Sequence, residues 1–135
     1  MTRAQALEAR VLLARRERAI GMATADGLIA SGIMVIEVAS TDEVLSYLEC
    51  RSDIRLVITE VDMPGCLSGL DLARFVMRRW PHIGIIVLGW PTQPMPSLPQ
   101  AVTFLPGQCA PSAVVEQVRA TLAAFSRPAL EMGRR

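Results

Sequence analysis

Several kinds of residue are scarce in this chain of 135 residues, and each scarcity excludes a class of protein. A single histidine, His82, and three cysteines without C-x-x-C spacing provide no ligand set for zinc or for a redox site. The net charge of +1 gives no electrostatic basis for nucleic-acid binding. No apolar run approaches the about 20 residues that span a bilayer, and residues 1–10 lack the apolar core of a secretory signal. We therefore expect one cytoplasmic domain without metal, cofactor, membrane or nucleic-acid partner.

Five short apolar runs alternate with helical patterns along most of the chain, which is typical of βαβ units. Successive residues in these runs are apolar, as expected for strands of a parallel sheet covered on both faces. The predicted strands are residues 11–14, 33–38, 56–59, 83–88 and 101–105. The pattern predicts an α/β fold, a three-layer sandwich around a five-stranded parallel sheet.

Helical periodicity places four helices around these strands. The first is predicted over residues 17–31, and its buried face carries Ala25, Leu28, Ile29 and Gly32. The second begins at Ser40, which has the capping-box spacing to Glu43. The third covers residues 69–79, and the last opens with Pro111 in its first turn. We predict an N-terminal extension over residues 1–10, a domain over 11–125 and a loose C-terminal tail over 126–135.

The run at residues 56–65 combines a buried strand with an acidic residue, Glu60, that leads into a Met-Pro-Gly turn, and Gly69 follows. This run resembles the receiver domain of bacterial two-component response regulators. The sequence Phe104-Leu105-Pro106 followed by Pro111 is similar to receivers as well. The resemblance extends from about residue 11 to about residue 122. It implies the flavodoxin-like strand order 2-1-3-4-5, with function at the carboxyl ends of the strands.

The resemblance also implies a phosphorylation site, and this chain departs from it at each position. Glu60 occupies the place of the aspartate that accepts phosphate from a histidine kinase. Arg15 and Arg16 follow the first strand, where receivers carry the acidic pair that holds magnesium, an ion that prefers carboxylate and water oxygens. Leu88 replaces a hydroxyl, and Gly107 replaces the lysine that pairs with phosphoryl oxygens. We therefore predict a degenerate, or pseudo-, receiver that is not an enzyme.

Two interpretations of the altered pocket are open. In the first, Arg15 or Arg16 binds Glu60 bidentately and makes the pocket structural; in the second, both arginines face solvent. Glu60 as a fixed imitation of the phosphorylated state is disfavoured, because one carboxylate carries less charge than a phosphoryl group. Asp62, the other carboxylate beside the turn, is the alternative phosphoacceptor.

The segment 89–99 is rich in proline, which removes backbone donors and disfavours helix at the preceding residue. We predict an irregular loop in place of the fourth helix of receivers, a helix that contributes to their output surface. Trp90 and Met95 are then candidates for partner binding, and the alternative is a shortened connection. Cys66 and Cys109 are expected to flank the pocket edge, where a redox switch is an alternative to inert thiols.

Three functions from different classes follow. The favoured one is a stand-alone, phosphorylation-independent interaction module in bacterial signalling. Its protein partner would be a histidine kinase of a phosphorelay, another response regulator or a second copy of the chain. The second is a single-domain response regulator phosphorylated on an unorthodox residue such as Asp62. The third is a small-ligand or nucleotide binder, disfavoured because no phosphate-binding glycine motif follows the first strand.

Overall fold

The structure is a computed structural model that describes residues 10–16, 18–89, 102–106 and 109–132. Its strands are β1 (Arg10–Ala14), β2 (Met34–Val38), β3 (Ile54–Glu60), β4 (Gly84–Leu88) and β5 (Val102–Leu105). Its helices are α1 (Arg18–Ala30), α2 (Thr41–Cys50), α3 (Gly69–Arg79) and α4 (Pro111–Met132). Within these residues, none of the helices has the length and apolar character needed to cross a membrane.

The five strands form one parallel sheet in the order β2-β1-β3-β4-β5, and helices cover both faces. This arrangement confirms the predicted three-layer α/β sandwich and its flavodoxin-like order. Ala14 pairs with Thr59, Glu60 with Leu88, and Leu88 with Leu105. The carboxyl ends of β1, β3, β4 and β5 therefore meet at one edge of the sheet.

The core is divided into two layers by the sheet, because side chains alternate between the faces of a strand. Leu12, Val57 and Ile85 face one layer, where apolar residues of α2 and α3 cover them. Leu13 and Ile58 face the other layer, which is covered by α1 and α4. Apolar side chains on both faces explain why the strands read as continuous hydrophobic runs in the sequence.

Local capping defines the ends of the helices. The Ser40 hydroxyl accepts a hydrogen bond from the Glu43 N–H at 3.1 Å, so the predicted cap of α2 is present. Helix α1 ends where Gly32 adopts a φ of 83° and Ile33 N–H donates to Leu28 C=O at 3.0 Å. Gly32 therefore terminates the helix instead of packing on its buried face. Ile29, also predicted to be buried, is 59% exposed.

Two further differences concern the ends of the domain. Helix α4 continues to Met132, so residues 126–132 are helical where the sequence predicted a loose tail. The residues after Pro128 include alanine, leucine, glutamate and methionine, which are strong helix formers and extend the helix. Strand β1 begins at Arg10, inside the predicted N-terminal extension, because Arg10 pairs in register with Met34 and Ile54.

Several predictions concern residues that the structure does not describe. The irregular loop expected in place of a fourth helix, with Trp90 and Met95, lies outside the described residues. Gly107, the position expected for the receiver lysine, lies outside them as well.

An arginine cluster fastens the amino-terminal edge of the sheet. The Asp53 carboxylate accepts hydrogen bonds from Arg51 Nε and Nη2, both at 3.0 Å, and from Arg10 Nε. These contacts, first the hydrogen bonds from Arg51 and then that from Arg10, lower the pKa of Asp53 below its ordinary value against the opposing effect of burial. The cluster joins the start of β1 to the segment before β3.

Candidate functional site

Glu60 lies at the carboxyl edge of the sheet as the last residue of β3, and its side chain is half-buried. Thr59, the residue before it, is fully buried and donates its hydroxyl to the Glu60 carbonyl oxygen at 3.1 Å. The register places Glu60 beside Leu88 on β4 and brings the end of β1 to its other side. The structure therefore brings Glu60, Arg16 and Leu88 to one edge of the sheet.

The carboxylate of Glu60 is held by the backbone of the segment after β1. Its Oε2 accepts a hydrogen bond of 2.7 Å from the Arg16 N–H. Among the residues that the structure describes, no arginine nitrogen of a side chain lies within 4.0 Å of the Glu60 carboxylate. The contact between Glu60 and the Arg15-Arg16 segment is thus present, but it uses a backbone amide instead of the predicted guanidinium.

The two arginines have different environments. Arg16 is exposed, as the solvent-facing interpretation required. Arg15 is 7% exposed, and its backbone N–H donates to Val38 C=O at 3.2 Å, which extends the pairing of β1 with β2. The Arg15 Nε is buried without a hydrogen-bond partner in the described part of the chain. Neither interpretation of the sequence therefore accounts for Arg15.

The loop between β3 and α3 is fastened to the start of α2. Thr41 N–H donates to Pro64 C=O at 3.0 Å, and the fully buried Thr41 hydroxyl donates to Leu67 C=O at 2.8 Å. The Asp42 carboxylate accepts from the Cys66 N–H at 3.3 Å. Sequence analysis missed Thr41 and Asp42, because only the fold brings the start of α2 against this loop.

Two glycines allow the backbone to approach closely in this loop. Gly65 has a φ of 127°, in the region that favours glycine, and faces the Thr41 hydroxyl. Gly69, the first residue of α3, donates its N–H to Val61 C=O at 2.9 Å. An ideal Cβ on Gly69 would lie only 1.8 Å from the Glu60 carbonyl oxygen. The first turn of α3 therefore packs directly on the backbone that presents Glu60.

Leu88 gives the neighbouring part of the edge an apolar character. Its side chain is 2% exposed and packs in the layer covered by α1 and α4. An apolar side chain cannot donate the hydrogen bond that a hydroxyl at this position would supply. The chain also contains no lysine, so no position can supply the cationic amine that the receiver resemblance implies.

The other candidate residues are scattered around this edge or away from it. Asp62 is exposed in the turn after Glu60. Cys66 is exposed and Cys109 is half-buried, and both are free thiols. His82 is exposed just before β4, at the amino edge of the sheet, where it lines a surface cleft with Trp80 and Cys50.

The donor set at this edge does not fit the magnesium ion that the receiver resemblance implies. Among the residues that the structure describes, Glu60 and Asp62 are the carboxylates at the end of β3, and one oxygen of Glu60 already accepts the Arg16 N–H. Arg15 and Arg16 add cations where magnesium needs oxygen ligands. In the described ranges, no group of three His, Cys, Asp or Glu residues is arranged to hold a metal ion.

Comparisons with known proteins agree with this architecture. No protein-family model matches the chain. The chain is 33% identical over 82 residues to the response regulator protein FleR of Pseudomonas aeruginosa, a match that covers 61% of this chain and 17% of FleR. The crystal structure of the receiver domain from the hybrid histidine kinase CckA is 28% identical with a TM-score of 0.67, over 84% of this chain and 98% of that domain.

A third similarity concerns the fold alone. The CheY-like response regulator receiver domain protein from Methanospirillum hungatei JF-1 is 19% identical with a TM-score of 0.74, over 89% of this chain and 98% of that protein. This chain spans only a small part, 17%, of the length of FleR, and nearly the whole of the two receiver structures.

Proposed function

Because this chain is a receiver domain of the two-component response regulator type, we propose that it acts by protein–protein interaction that does not depend on its own phosphorylation. On this proposal it is not an enzyme, and it works in the cytoplasm of a bacterium. Receiver domains interact with kinases or with other regulators of two-component systems. We propose that this domain binds such a protein, or a second copy of itself, through a surface whose conformation does not change with phosphorylation.

The observation that carries the proposal is the hydrogen bond between Glu60 Oε2 and the Arg16 N–H, at 2.7 Å. A carboxylate that accepts phosphate must be free to attack, and a divalent cation must neutralise the charges of carboxylate and phosphate. Here the side chain at the acceptor position is engaged by the backbone of the segment that would hold the metal. The contact gives Glu60 a structural role in joining β1 to β3.

The neighbouring residues support the same conclusion. A phosphoryl group on Glu60 would meet Leu88 in place of a hydroxyl, and the chain has no lysine to bind its oxygens. Both groups would have to respond to phosphate for the domain to change its output surface. Without them, phosphorylation has no route to a conformational change.

Intact-protein mass spectrometry after incubation with Mg²⁺ and acetyl phosphate tests the proposal. The native protein is expected to keep its unmodified mass, while a conventional receiver in parallel gains a phosphoryl group. A stoichiometric, base-labile adduct would contradict the proposal. The variants Glu60→Gln and Asp62→Asn would then identify the acceptor, since loss of the adduct in Asp62→Asn alone would establish the alternative function of a response regulator with an unorthodox acceptor.

Partner binding is tested by capture of two-component proteins with and without Mg²⁺ and phosphodonor. Equal capture under both conditions is expected. The matched variant Glu60→Asp restores the usual acceptor type while Arg15 and Arg16 remain, so it should stay unphosphorylated and bind equally well. Binding that requires the phosphodonor would contradict the proposal.

A further inference from the structure

A cleft beside the edge strand β2 is distinct from the Glu60 pocket. It lies at the carboxyl ends of β1 and β2, against the first turn of α2, and has a volume of about 240 Å³. Its lining consists of Leu13, Arg15, Glu37, Val38, Ala39 and Glu43. We call it the Arg15 cleft, after the one of these residues that is both charged and buried.

Arg15 is the feature of this cleft that points to a ligand. The residue is 7% exposed, yet its Nε finds no acceptor among the residues that the structure describes. A buried donor on a charged group is unfavourable without an acceptor. A bound group with acceptor oxygens would remove this deficit, and a guanidinium fits the two oxygens of a carboxylate.

The start of helix α2 borders the same cleft. This helix of 10 residues begins at Thr41, next to Ala39 and Glu43 of the lining, and the amino end of a helix carries partial positive charge. The Thr41 and Glu43 N–H groups already donate to Pro64 C=O and to the Ser40 hydroxyl, and Asp42 and Glu43 lie in this first turn. Arg15 is therefore the source of positive charge for an anion in the cleft.

The acidic residues of the lining restrict which anion can bind. Glu37 and Glu43 are exposed, and neither carboxylate lies within 4.0 Å of an Arg15 nitrogen in the described structure. Their charges repel a doubly charged anion such as phosphate and attract an ammonium group. The volume is below the roughly 300–1,000 Å³ of pockets for drug-sized ligands, so a small molecule is required.

We propose that the Arg15 cleft binds a small zwitterion of the α-amino acid class, with its carboxylate on Arg15 and its ammonium group toward Glu37 and Glu43. Such a ligand needs no glycine-rich phosphate loop, so the absence of that motif does not oppose it. The inference goes beyond the proposed interaction function and does not depend on phosphorylation chemistry. It adds a sensory input to the domain, at the end of the sheet that also carries Glu60.

Thermal shift and isothermal titration calorimetry with defined probes test this inference. The probes are each proteinogenic amino acid, acetate, methylammonium and inorganic phosphate, all at millimolar concentration. At least one amino acid is expected to raise the melting temperature and to bind more tightly than acetate, methylammonium or phosphate, because a ligand of the native state stabilises it by mass action. Absence of binding by every amino acid, or tighter binding of phosphate, would overturn the inference.

Variants separate the two halves of the site. Arg15→Met is expected to weaken amino-acid binding by roughly tenfold or more, while Arg55→Met, which removes an exposed arginine on β3, leaves it unchanged. The double variant Glu37→Gln/Glu43→Gln should bind the amino acid more weakly and acetate more tightly than the native protein. These two glutamates are exposed, so this variant decides the question if Arg15→Met does not fold. Unchanged affinities in the double variant would refute the zwitterion.

Discussion

Replacement of Gly69 by alanine tests whether α3 packs on the backbone of Glu60. The new Cβ would lie 1.8 Å from the Glu60 carbonyl oxygen and 2.9 Å from that of Val61. Both are backbone atoms that cannot rotate away, so the first turn of α3 has to shift. Overpacking in a filled interior costs about 1–3 kcal/mol. Weakening of the hydrogen bond from Gly69 N–H to Val61 C=O adds about 1 kcal/mol.

The expected net destabilisation by Gly69→Ala is about 2–4 kcal/mol. Alanine has a better helix propensity than glycine by up to about 1 kcal/mol, but Gly69 is the first residue of α3, where this gain is small. For a domain of 135 residues, 1 kcal/mol corresponds to about 4 °C in Tm, so a decrease of about 8–16 °C is expected. Calorimetry measures the decrease in Tm, and urea denaturation measures the loss in free energy of unfolding.

Gly27→Ala is the matched control, because Gly27 lies inside α1 and its new Cβ would meet only the Val115 side chain, at 3.0 Å. A side chain of this kind can adjust by a few tenths of an ångström, and the gain in helix propensity offsets the crowding. This variant should stay within about 1 kcal/mol of the native protein. A Gly69→Ala protein that is as stable as Gly27→Ala would refute the close approach of α3 to Glu60.

Three further predictions concern individual contacts. Glu60→Gln keeps an acceptor for the Arg16 N–H but loses the charge, so it should lower the free energy of unfolding in urea by about 1 kcal/mol. Glu60→Ala also loses the acceptor and should lower it further. An alanine variant more stable than the glutamine variant would contradict this. Thr41→Val removes the buried hydroxyl that binds Leu67 C=O and should cost about 1–3 kcal/mol, whereas Thr41→Ser should retain most of the stability; equal losses would exclude the hydrogen bond as the cause. Since the pKa of Asp53 is lowered by folding, its stabilisation is present above the ordinary carboxyl pKa and is lost as the pH falls through the lower folded value. The difference in Tm between the native protein and Asp53→Asn should therefore shrink as the pH falls from neutral toward the acid range, and a constant difference would contradict the assignment.

The sheet was predictable because its strands are apolar on both faces, a pattern that depends only on neighbouring residues. Helix caps such as Ser40 are equally local. Ile29 was wrongly predicted to be buried, because helical periodicity does not reveal how far the sheet extends beneath a helix. Gly32 ends α1 shortly after Ile29. The end of α4 was misplaced as well, because the helix continues through Pro128 to Met132 although proline is unfavourable inside a helix.

The site was predicted in its location more accurately than in its contacts. The register brought Glu60, Arg16 and Leu88 together as expected, because parallel strands end at one edge. A sequence shows charges but not which atom of a residue makes a contact, so neither of the two interpretations of the arginines included the backbone amide of Arg16. The buried state of Arg15 and the role of Thr41 depend on elements distant in the chain, and no local pattern predicts them.

The bond between the Arg16 N–H and Glu60 has a consequence for how the sequence can vary. Every amino acid except proline carries the same backbone donor, so position 16 can change its side chain freely without loss of this bond. Position 60, in contrast, contributes the acceptor through its side chain and is limited to residues that reach the amide. Related sequences with this pocket should thus drift at the first of these positions and stay acidic or amidic at the second.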